Sequence, residues 1–194
     1  MKGLALLAFE AGMLKKLRRT GYPFLGSGGE SVADHSFRAA LLGYHLALTQ
    51  PGADAARVAL MLLHHDLPES RTNDLNYVHK QYVQADENKA GAHQAANLPS
   101  RNRDVFLGLL EEFNAQESLE AQLARDADQL DMIVELKEQQ DLGNAYARQW
   151  LEYVPKRLLT PAARELAQEI LNTDWTEWWF AKRDDWWVPD KKNT

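Results

Sequence analysis

The chain of 194 residues contains no cysteine. This absence excludes a disulfide framework, a thiolate zinc site, an iron–sulfur cluster and a cysteine nucleophile. Any metal site in the chain must therefore use histidine, aspartate or glutamate ligands. A chain without cysteine also fits a reducing compartment, so we expect a cytoplasmic protein.

Basic residues and long apolar runs are also scarce. The 22 lysines and arginines are outnumbered by 28 aspartates and glutamates, which gives a formal net charge of −6. Such a balance argues against a surface that coats a nucleic-acid polymer or an anionic membrane. No run approaches the roughly 18 apolar residues of a membrane span. The apolar start differs from a secretory signal, because Glu10 interrupts it and its basic residues follow the apolar stretch.

Apolar residues recur at helical spacing along most of the chain, and no alternating strand pattern of useful length is present. The pattern predicts helices over residues 4–14, 37–48, 55–65, 101–113, 119–140 and 161–171. Ser100, Ser118 and Thr160 are the expected N-caps of the last three, with proline following Thr160 at the first helical position. The helix over 37–48 is apolar on all sides, which is typical of a buried helix.

These elements predict an all-α, compact helical bundle. We expect a single domain over residues 1–194, with a core at about 4–150 and a C-terminal helix with a tryptophan-rich tail at about 151–194. Five of the six tryptophans lie between Trp175 and Trp187. A cover over the core combined with a subunit interface is the favoured interpretation of this cluster, and a base-stacking surface is the alternative. Residues 190–194 are expected to be disordered.

The first candidate site is the pair His65-Asp66 at the end of the predicted 55–65 helix. His65 shares the apolar face of that helix, so its side chain should point inward. An ionised Asp66 beside it would need a partner, and a divalent cation would satisfy both side chains. A hydrogen-bonded core histidine next to an N-capping aspartate is the more common meaning of such a pair, so the pair alone leaves both interpretations open.

Asp128 is the second candidate. It lies on the predicted 119–140 helix beside Ala121 and Ala124, whose small side chains leave room for a ligand. By spacing alone, the favoured interpretation is a solvent-exposed acid, like Asp126 and Asp131 nearby.

The order of the motifs along the chain is a more specific indication of function than the His65-Asp66 pair or Asp128 alone. His35 stands in Glu-Ser-Val-Ala-Asp-His-Ser, about thirty residues before Leu-Leu-His-His-Asp-Leu-Pro-Glu, and Asn-Asp-Leu follows. Ala-Asp-Gln-Leu comes about sixty residues later, with Gly143-Asn144 beyond it. With these motifs the chain resembles the HD-domain metal-dependent phosphohydrolases, and it is most similar to their 5′-deoxynucleotidase branch over roughly residues 4–150.

The resemblance implies one divalent transition metal, which would be Mn, Co, Fe, Ni or Zn. Its ligands would be His35, His65, Asp66 and Asp128. The resemblance also implies that Glu69 and Asp74 are catalytic. Either carboxyl could orient the attacking water or protonate the leaving ribose oxygen.

The family places a phosphate-binding arginine ahead of the first metal ligand. Arg19 is the best match and Arg18 the second choice, and either residue could instead be a solvated residue that caps the first helix. The chain departs from the family pattern at residues 26–29, where Gly-Ser-Gly-Gly replaces a segment in which many relatives carry arginine and asparagine. It also has Asn73 where glycine is usual.

The resemblance implies hydrolysis of nucleoside 5′-monophosphates, deoxynucleotides included, to nucleoside and phosphate. A nucleoside triphosphate, a cyclic nucleotide or an alarmone is the alternative substrate. A non-catalytic binding module with the same fold is the alternative of another class. The expected partners are a small phosphorylated substrate, with neither a nucleic-acid polymer nor a membrane, and a second copy of the chain in a homodimer, which is common in this branch.

Overall fold

A computed structural model describes residues 1–180, and the regular elements of this part of the chain are helices, joined by loops and one isolated β-bridge. The all-α prediction is therefore confirmed. The α-helices of the described part are α1 (Lys2–Ala11), α2 (Tyr22–Leu25), α3 (Val32–Leu48), α4 (Ala55–His64), α5 (Glu69–Thr72), α6 (Glu87–Ala95), α7 (Ser100–Ala115), α8 (Leu119–Asp141), α9 (Ala145–Leu151), α10 (Pro161–Asn172) and α11 (Glu177–Phe180). Short 3-10 turns occupy Gly12–Lys15, His79–Gln81 and Val154–Arg157.

The longest helix, α8, is central to the bundle. It packs against α3, α4, α7, α9 and α10. Its buried residues occur on nearly all sides, because neighbouring helices surround it. A second, smaller hydrophobic cluster joins the start of the chain to α7 through Leu14, Phe106 and Leu110.

Side-chain caps define several helix starts. The Ser118 hydroxyl accepts a hydrogen bond from the Ala121 amide at 3.1 Å, and the Thr160 hydroxyl accepts one from the Ala163 amide at 3.2 Å. Both predicted caps are confirmed. The predicted Ser100 cap is wrong, because α7 already includes Ser100 and its N-cap is Pro99, which has no side-chain acceptor.

Helix α3 differs most from its sequence-based prediction. It begins five residues before Phe37, because Ser31 and Asp34 form a reciprocal capping box. It is also not buried on all sides, since an apolar stripe lies on the surface. The exposed members of this α3 stripe are Phe37 (69%), Leu41 (51%), Tyr44 (39%) and Leu48 (61%).

Helices α6 and α9 were not predicted. Polar residues interrupt α6, and α9 is only seven residues long, so neither carries a strong apolar period. Each has a local start signal, since Asp86 caps α6 and Asn144 caps α9. Capping residues are informative only when a periodic apolar segment follows them.

A glycine brings three helices close together. A Cβ added to Gly43 of α3 would lie 2.3 Å from Leu62 Cδ1 of α4 and 3.1 Å from Ala127 Cβ of α8. Only hydrogen fits at this crossing. Because the candidate metal ligands lie on α3 and α8 and directly after α4, the spacing of these helices positions the site.

None of the helices in residues 1–180 is long and apolar enough to cross a membrane. Within the tryptophan cluster, the Trp175 amide donates to Asp141 at the end of α8, and Trp178 is 84% exposed, so Trp178 does not cover the core. Trp186, Trp187 and the predicted disordered tail over 190–194 lie outside the described residues.

Candidate metal centre and substrate cavity

Three helices bring the predicted metal ligands together. His35 is in the second turn of α3, His65 and Asp66 follow the last residue of α4, and Asp128 is in the middle of α8. The His35 Nε2 atom lies 3.5 Å from Asp66 Oδ2 and 3.3 Å from Asp128 Oδ1. The His65 Nε2 atom lies 3.2 Å from Asp66 Oδ1. One potential ligand atom from each of His35, His65 and Asp66 lies within 4.8 Å of the others.

The orientation of His65 follows from its place at the end of α4. Its Nδ1 donates to the Leu62 carbonyl at 2.7 Å, and because a carbonyl can only accept, Nε2 is left without a proton in the neutral ring. The neighbouring His64 turns away, with Nδ1 on the Leu60 carbonyl at 2.7 Å and its ring against Phe106 at 5.6 Å. The structure thus brings His65, and not His64, to the cluster.

Two carboxylates of α8 differ from the sequence-based interpretation. The prediction that Asp126 and Asp131 are solvent-exposed acids is wrong, because both side chains are fully buried. Asp126 accepts hydrogen bonds from the Leu159 and Thr160 amides and the Thr160 hydroxyl at the start of α10. The Oδ2 atom of Asp131 lies 2.6 Å from His35 Nδ1. Sequence spacing gave no sign of these partners, because the contacts join distant segments.

The donor set fits a divalent cation. The Nε2 atoms of His35 and His65 and the Oδ2 atom of Asp66 are buried and have no hydrogen-bond partner. Leaving such atoms unpaired costs about 1–3 kcal/mol each. Imidazole nitrogen and carboxylate oxygen together suit first-row transition metals, so one cation would satisfy all three atoms.

The electrostatics of the cluster also favour a positive charge at this point. Burial and Arg19 act to lower the pKa of His35, but the carboxylates of Asp128, Asp131 and Asp66 outweigh them and raise it to about 10. Burial acts to raise the pKa of Asp128, yet His35 lowers it well below its usual range. The carboxylates therefore favour a cation at this point, either a proton or a metal ion.

Arg19 enters the site through a short pairing of extended backbone. Arg18 and Ser31 form an isolated antiparallel bridge, and the Arg19 amide donates to the Glu30 carbonyl at 3.1 Å. The Arg19 side chain is directed inward, with Nη1 3.6 Å from Asp66 Oδ2. Burial acts to lower its pKa, but Asp66 and other carboxylates raise it, so the guanidinium stays charged. Arg18 is exposed and does not line the cavity described below.

Glu69 and Asp74 line the same cavity as Arg19. The buried Oε2 atom of Glu69 has no hydrogen-bond partner, and burial together with Asp66 and Asp74 raises its pKa to about 9. The Oδ2 atom of Asp74 accepts from the Thr20 amide at 2.5 Å and the Thr20 hydroxyl at 3.3 Å. Asp74 therefore also holds the segment that carries Arg19.

The family departure at Asn73 has a visible consequence. Its φ angle is +69°, in the left-handed region that favours glycine. Asparagine tolerates positive φ better than most residues do, so it can replace the usual glycine here.

The ligand cluster opens into a cavity of about 560 Å³. One part of its lining carries the charged groups described above. The lining also includes residues that the sequence motifs did not indicate, which are Tyr77, Arg125, Gln129, Trp150, Tyr153 and Arg157. Arg125 and Gln129 both donate to Asp128 Oδ2, at 2.9 Å and 3.0 Å. The Tyr77 and Trp150 rings meet edge to face at 6.2 Å. They come from separate segments, so no single sequence pattern marks them.

The glycine-rich segment 26–29 lies elsewhere. The Ser27 hydroxyl donates to Gln139 of α8 at 2.9 Å, and Asn144 donates to Ser27 at 2.7 Å. Among the described residues, Gly26, Ser27 and Gly28 line a separate, more open hollow and not the substrate cavity. This part of the family pattern is therefore absent from the cavity wall.

Fold and site together define a helical protein in which nitrogen and oxygen atoms that could bind a divalent metal meet at the edge of a cavity. A family model for the HD domain matches residues 11–170, so the chain belongs to the HD domain family. The resemblance proposed from the sequence motifs is confirmed.

Individual relatives agree with this assignment. The mouse 5′-deoxynucleotidase HDDC2 is 30% identical over 152 residues, which cover 75% of this chain and 75% of that protein. The zebrafish HDDC2 match covers 66% of that protein. The crystal structure of the PH0347 protein from Pyrococcus horikoshii OT3 has a TM-score of 0.70 at 30% identity, covering 87% of this chain and 98% of that one.

A more distant neighbour shares the fold. It is the HD phosphohydrolase DatZ of cyanophage S-2L, bound to dA and one catalytic Zn²⁺ ion. Its TM-score is 0.53 at 20% identity, covering 85% of this chain and 96% of that one.

Proposed function

We propose that this protein is a metal-dependent phosphohydrolase that converts nucleoside 5′-monophosphates, deoxynucleotides among them, to nucleoside and phosphate. The observation that carries the proposal is that unpaired ligand atoms, Arg19 and Glu69 meet around one cavity. The name of the mouse relative, 5′-deoxynucleotidase, supports the same reaction.

His35, His65, Asp66 and Asp128 would hold the metal. A divalent cation bound there would supply Lewis-acid chemistry by neutralising charge on the phosphoryl group and making water more acidic. The proposed metal is Mn, Co, Fe, Ni or Zn. Because the cyanophage neighbour binds a catalytic Zn²⁺ ion, Zn²⁺ is included in the test.

The protein's own groups bind and orient the phosphate. Arg19 pairs with the non-bridging oxygens, for which a charged guanidinium is well suited. Water attacks phosphorus, the bond to the 5′ oxygen breaks, and that oxygen must receive a proton. Glu69 provides a carboxyl in the cavity lining to exchange that proton, and Asp74 both lines the cavity and fixes Thr20 beside Arg19.

The aromatic part of the cavity accepts the nucleoside. Trp150 and Tyr77 supply flat apolar surface on which a base can pack, and Gln129 and Arg157 supply polar groups nearby. The Arg157 guanidinium donates to Gln129 at 3.4 Å, so the carboxamide is held in one orientation. A cavity of about 560 Å³ is within the usual range for a small-molecule ligand.

A phosphate-release screen tests the function. The purified protein is loaded separately with Mn²⁺, Co²⁺, Ni²⁺, Zn²⁺ or anaerobic Fe²⁺, then given ribo- and deoxyribonucleoside mono- and triphosphates, a cyclic nucleotide and an alarmone. We expect phosphate from the monophosphates. The control is Asp66→Ala, which removes a ligand and should lose metal and activity together.

Two results would redirect the proposal. Turnover of triphosphates, cyclic nucleotides or alarmones in preference to monophosphates would favour the alternative substrates. Metal-loaded protein that releases no phosphate from any of them, yet binds a nucleotide, would favour a binding module.

We also propose that the protein is a homodimer in the cytoplasm. Support for the dimer comes from the α3 stripe, because exposed apolar residues repeat along one helix at Phe37, Leu41, Tyr44 and Leu48. Contiguous exposed apolar surface is typical of an interaction site, and a two-fold dimer needs only one self-complementary surface. The cytoplasmic location stays a prediction from the composition.

A further inference from the structure

Asp131 lies between His35 and Arg38. Its Oδ2 atom is 2.6 Å from His35 Nδ1, and its Oδ1 atom accepts a hydrogen bond from Arg38 Nε. The Asp131 and His35 side chains are both fully buried. Neither Asp131 nor Arg38 lines the cavity, so neither contacts the substrate directly.

We propose that Asp131 and Arg38 are positioning residues that hold the proton of His35 on Nδ1 and leave Nε2 free to bind the cation. Metal-binding histidines generally donate their other N–H to an oxygen, which fixes the tautomer and the ring orientation. The inference rests on the proposed metal site, and it is independent of which substrate the protein hydrolyses.

Arg38 determines which oxygen of the Asp131 carboxylate faces His35. Its guanidinium also reaches Glu135 at 2.8 Å, Glu138 at 3.2 Å and Glu30 at 3.7 Å. These contacts hold its Nε–H towards Asp131 Oδ1. Because arginine can only donate, an acceptor must always stand at that position. The other oxygen of Asp131 then faces His35 and accepts its Nδ1–H.

The substitution Asp131→Asn would reverse this hydrogen bond. The single carbonyl oxygen of the new carboxamide must face Arg38, so its NH₂ group faces His35. Nδ1 then has to accept, and the ring proton moves to Nε2, where it blocks the metal. The substitution preserves the size of the side chain, so its effect on metal binding comes from hydrogen-bond direction and lost charge.

The first test measures the binding of Mn²⁺ alone by competition with a chromophoric chelator. We expect Asp131→Asn to weaken binding about 10- to 100-fold, the usual range for such outer partners. Asp126→Asn is the matched control. Asp126 is a fully buried carboxylate of the same helix, and it bonds to α10 instead of the site. Asp126→Asn is expected to lower the melting temperature and leave Mn²⁺ affinity unchanged.

The second test separates hydrogen-bond direction from the loss of charge. Replacing Arg38 by Gln provides a side chain that can accept as well as donate, which frees the carboxamide introduced by Asp131→Asn to turn its oxygen towards His35. The double variant Arg38→Gln with Asp131→Asn is therefore expected to bind Mn²⁺ more tightly than Asp131→Asn alone. If Arg38 and Asp131 only stabilised the fold, the double variant would bind Mn²⁺ more weakly than Asp131→Asn alone. Nitrogen-15 NMR of the Zn²⁺-loaded protein, in which the cation replaces any proton on Nε2, reports directly whether His35 Nδ1 carries the proton.

Several results would overturn the inference. Unchanged Mn²⁺ affinity in folded Asp131→Asn would exclude a positioning role, and so would an equal loss in Asp126→Asn. A double variant weaker than Asp131→Asn would exclude the part assigned to Arg38. Wild-type protein that binds no metal would overturn the metal site as well, whereas metal binding without nucleotide turnover would leave the inference standing and count only against the proposed function.

Discussion

At the scale of single residues, the chemistry of this protein is marked by polar atoms that burial leaves unpaired. His35 Nε2, His65 Nε2, Asp66 Oδ2 and Glu69 Oε2 all belong to this group. Three of these atoms converge where a cation would satisfy them. The fourth, Glu69 Oε2, belongs to the lining of the cavity in which a phosphate ester would be cleaved. The metal-binding role proposed for the first three is therefore separate from the proton-transfer role proposed for Glu69.

Glu69→Gln tests that separation. We expect the variant to keep its metal content and its substrate KM while kcat falls about 10²- to 10⁴-fold, the usual contribution of a positioned acid or base. Metal analysis and steady-state kinetics on the same preparation check this. Glu111→Gln changes an exposed glutamate of α7 outside the cavity lining and should leave kcat unchanged. Full activity in Glu69→Gln would show that the proton-transfer assignment is wrong.

Arg19→Ala tests the phosphate contact. A hydrogen bond to a charged group contributes about 1.5–3 kcal/mol. The KM is therefore expected to rise roughly 10- to 100-fold, since about 1.4 kcal/mol corresponds to tenfold.

The adjacent Arg18→Ala is the matched control, because Arg18 is exposed and lies outside the cavity lining. It should leave KM unchanged. If Arg18→Ala raised KM and Arg19→Ala did not, the phosphate contact would belong to Arg18.

At the scale of elements, the crossing of α3, α4 and α8 determines the distances between the ligands. Gly43→Ala would place a methyl group 2.3 Å from Leu62 Cδ1. Overpacking of this kind destabilises by about 1–3 kcal/mol, so we expect a lower free energy of unfolding in chemical denaturation.

Gly108→Ala is the control for that change. Gly108 is inside α7, and nothing lies within 4 Å of a Cβ added there. The substitution should raise the free energy of unfolding by about 0.5–1 kcal/mol, because alanine is the better helix former. Opposite changes in the free energy of unfolding for these two glycine-to-alanine substitutions would support the close helix approach at Gly43, whereas equal changes would contradict it.

Sequence reasoning succeeded for elements with a long apolar period or a clear cap. Helices α4, α8 and α10 were predicted close to their observed bounds, and Ser118 and Thr160 cap as expected. It failed where tertiary contacts stabilise short or polar segments, as in α6 and α9. It also predicted a fully buried α3, because apolar composition does not reveal which face lacks a neighbour.

At the scale of the whole molecule, Glu10 joins the first helix to α5 and α6. It contacts Arg71, Gln94 and Ser70, and the hydrogen bond from Arg71 lowers its pKa from the ordinary 4.5. A carboxyl whose pKa is lowered by folding stabilises the protein above its unfolded-state pKa, and this contribution is lost as the pH falls through the folded-state value.

Glu10→Gln should therefore be less stable than the wild type at neutral pH. The difference should shrink below about pH 4.5 as the wild-type carboxyl takes up its proton. Urea denaturation of both proteins from pH 7 to pH 3 measures this. A difference that does not depend on pH would mean that the charge of Glu10 contributes nothing.

The α3 stripe makes a prediction about assembly. Phe37→Glu combined with Leu41→Glu should convert the proposed dimer to a monomer, because a two-fold interface would bring these charges together without a partner. Light scattering after size-exclusion chromatography measures the mass. Val105→Glu, an exposed apolar position on α7, is the control and should leave the mass unchanged. Wild-type protein that is monomeric at micromolar concentration would contradict the dimer.

The sequence by itself determined the helical class, several caps and the order of motifs that led to the HD domain family. These features are local or follow from spacing along one helix. The single domain over residues 1–194 stays a prediction, and so do the catalytic and phosphate-binding roles.

Only the tertiary structure decided which groups complete the site. The contact between Asp131 and His35 joins residues 96 positions apart, and the aromatic part of the cavity draws on segments from Tyr77 to Tyr153. Such pairs depend on how helices cross, and helical periodicity states which face is apolar without stating what will cover it. For this reason the motifs in the sequence predicted residues that could hold a metal but gave no sign of the carboxylate that contacts one of them.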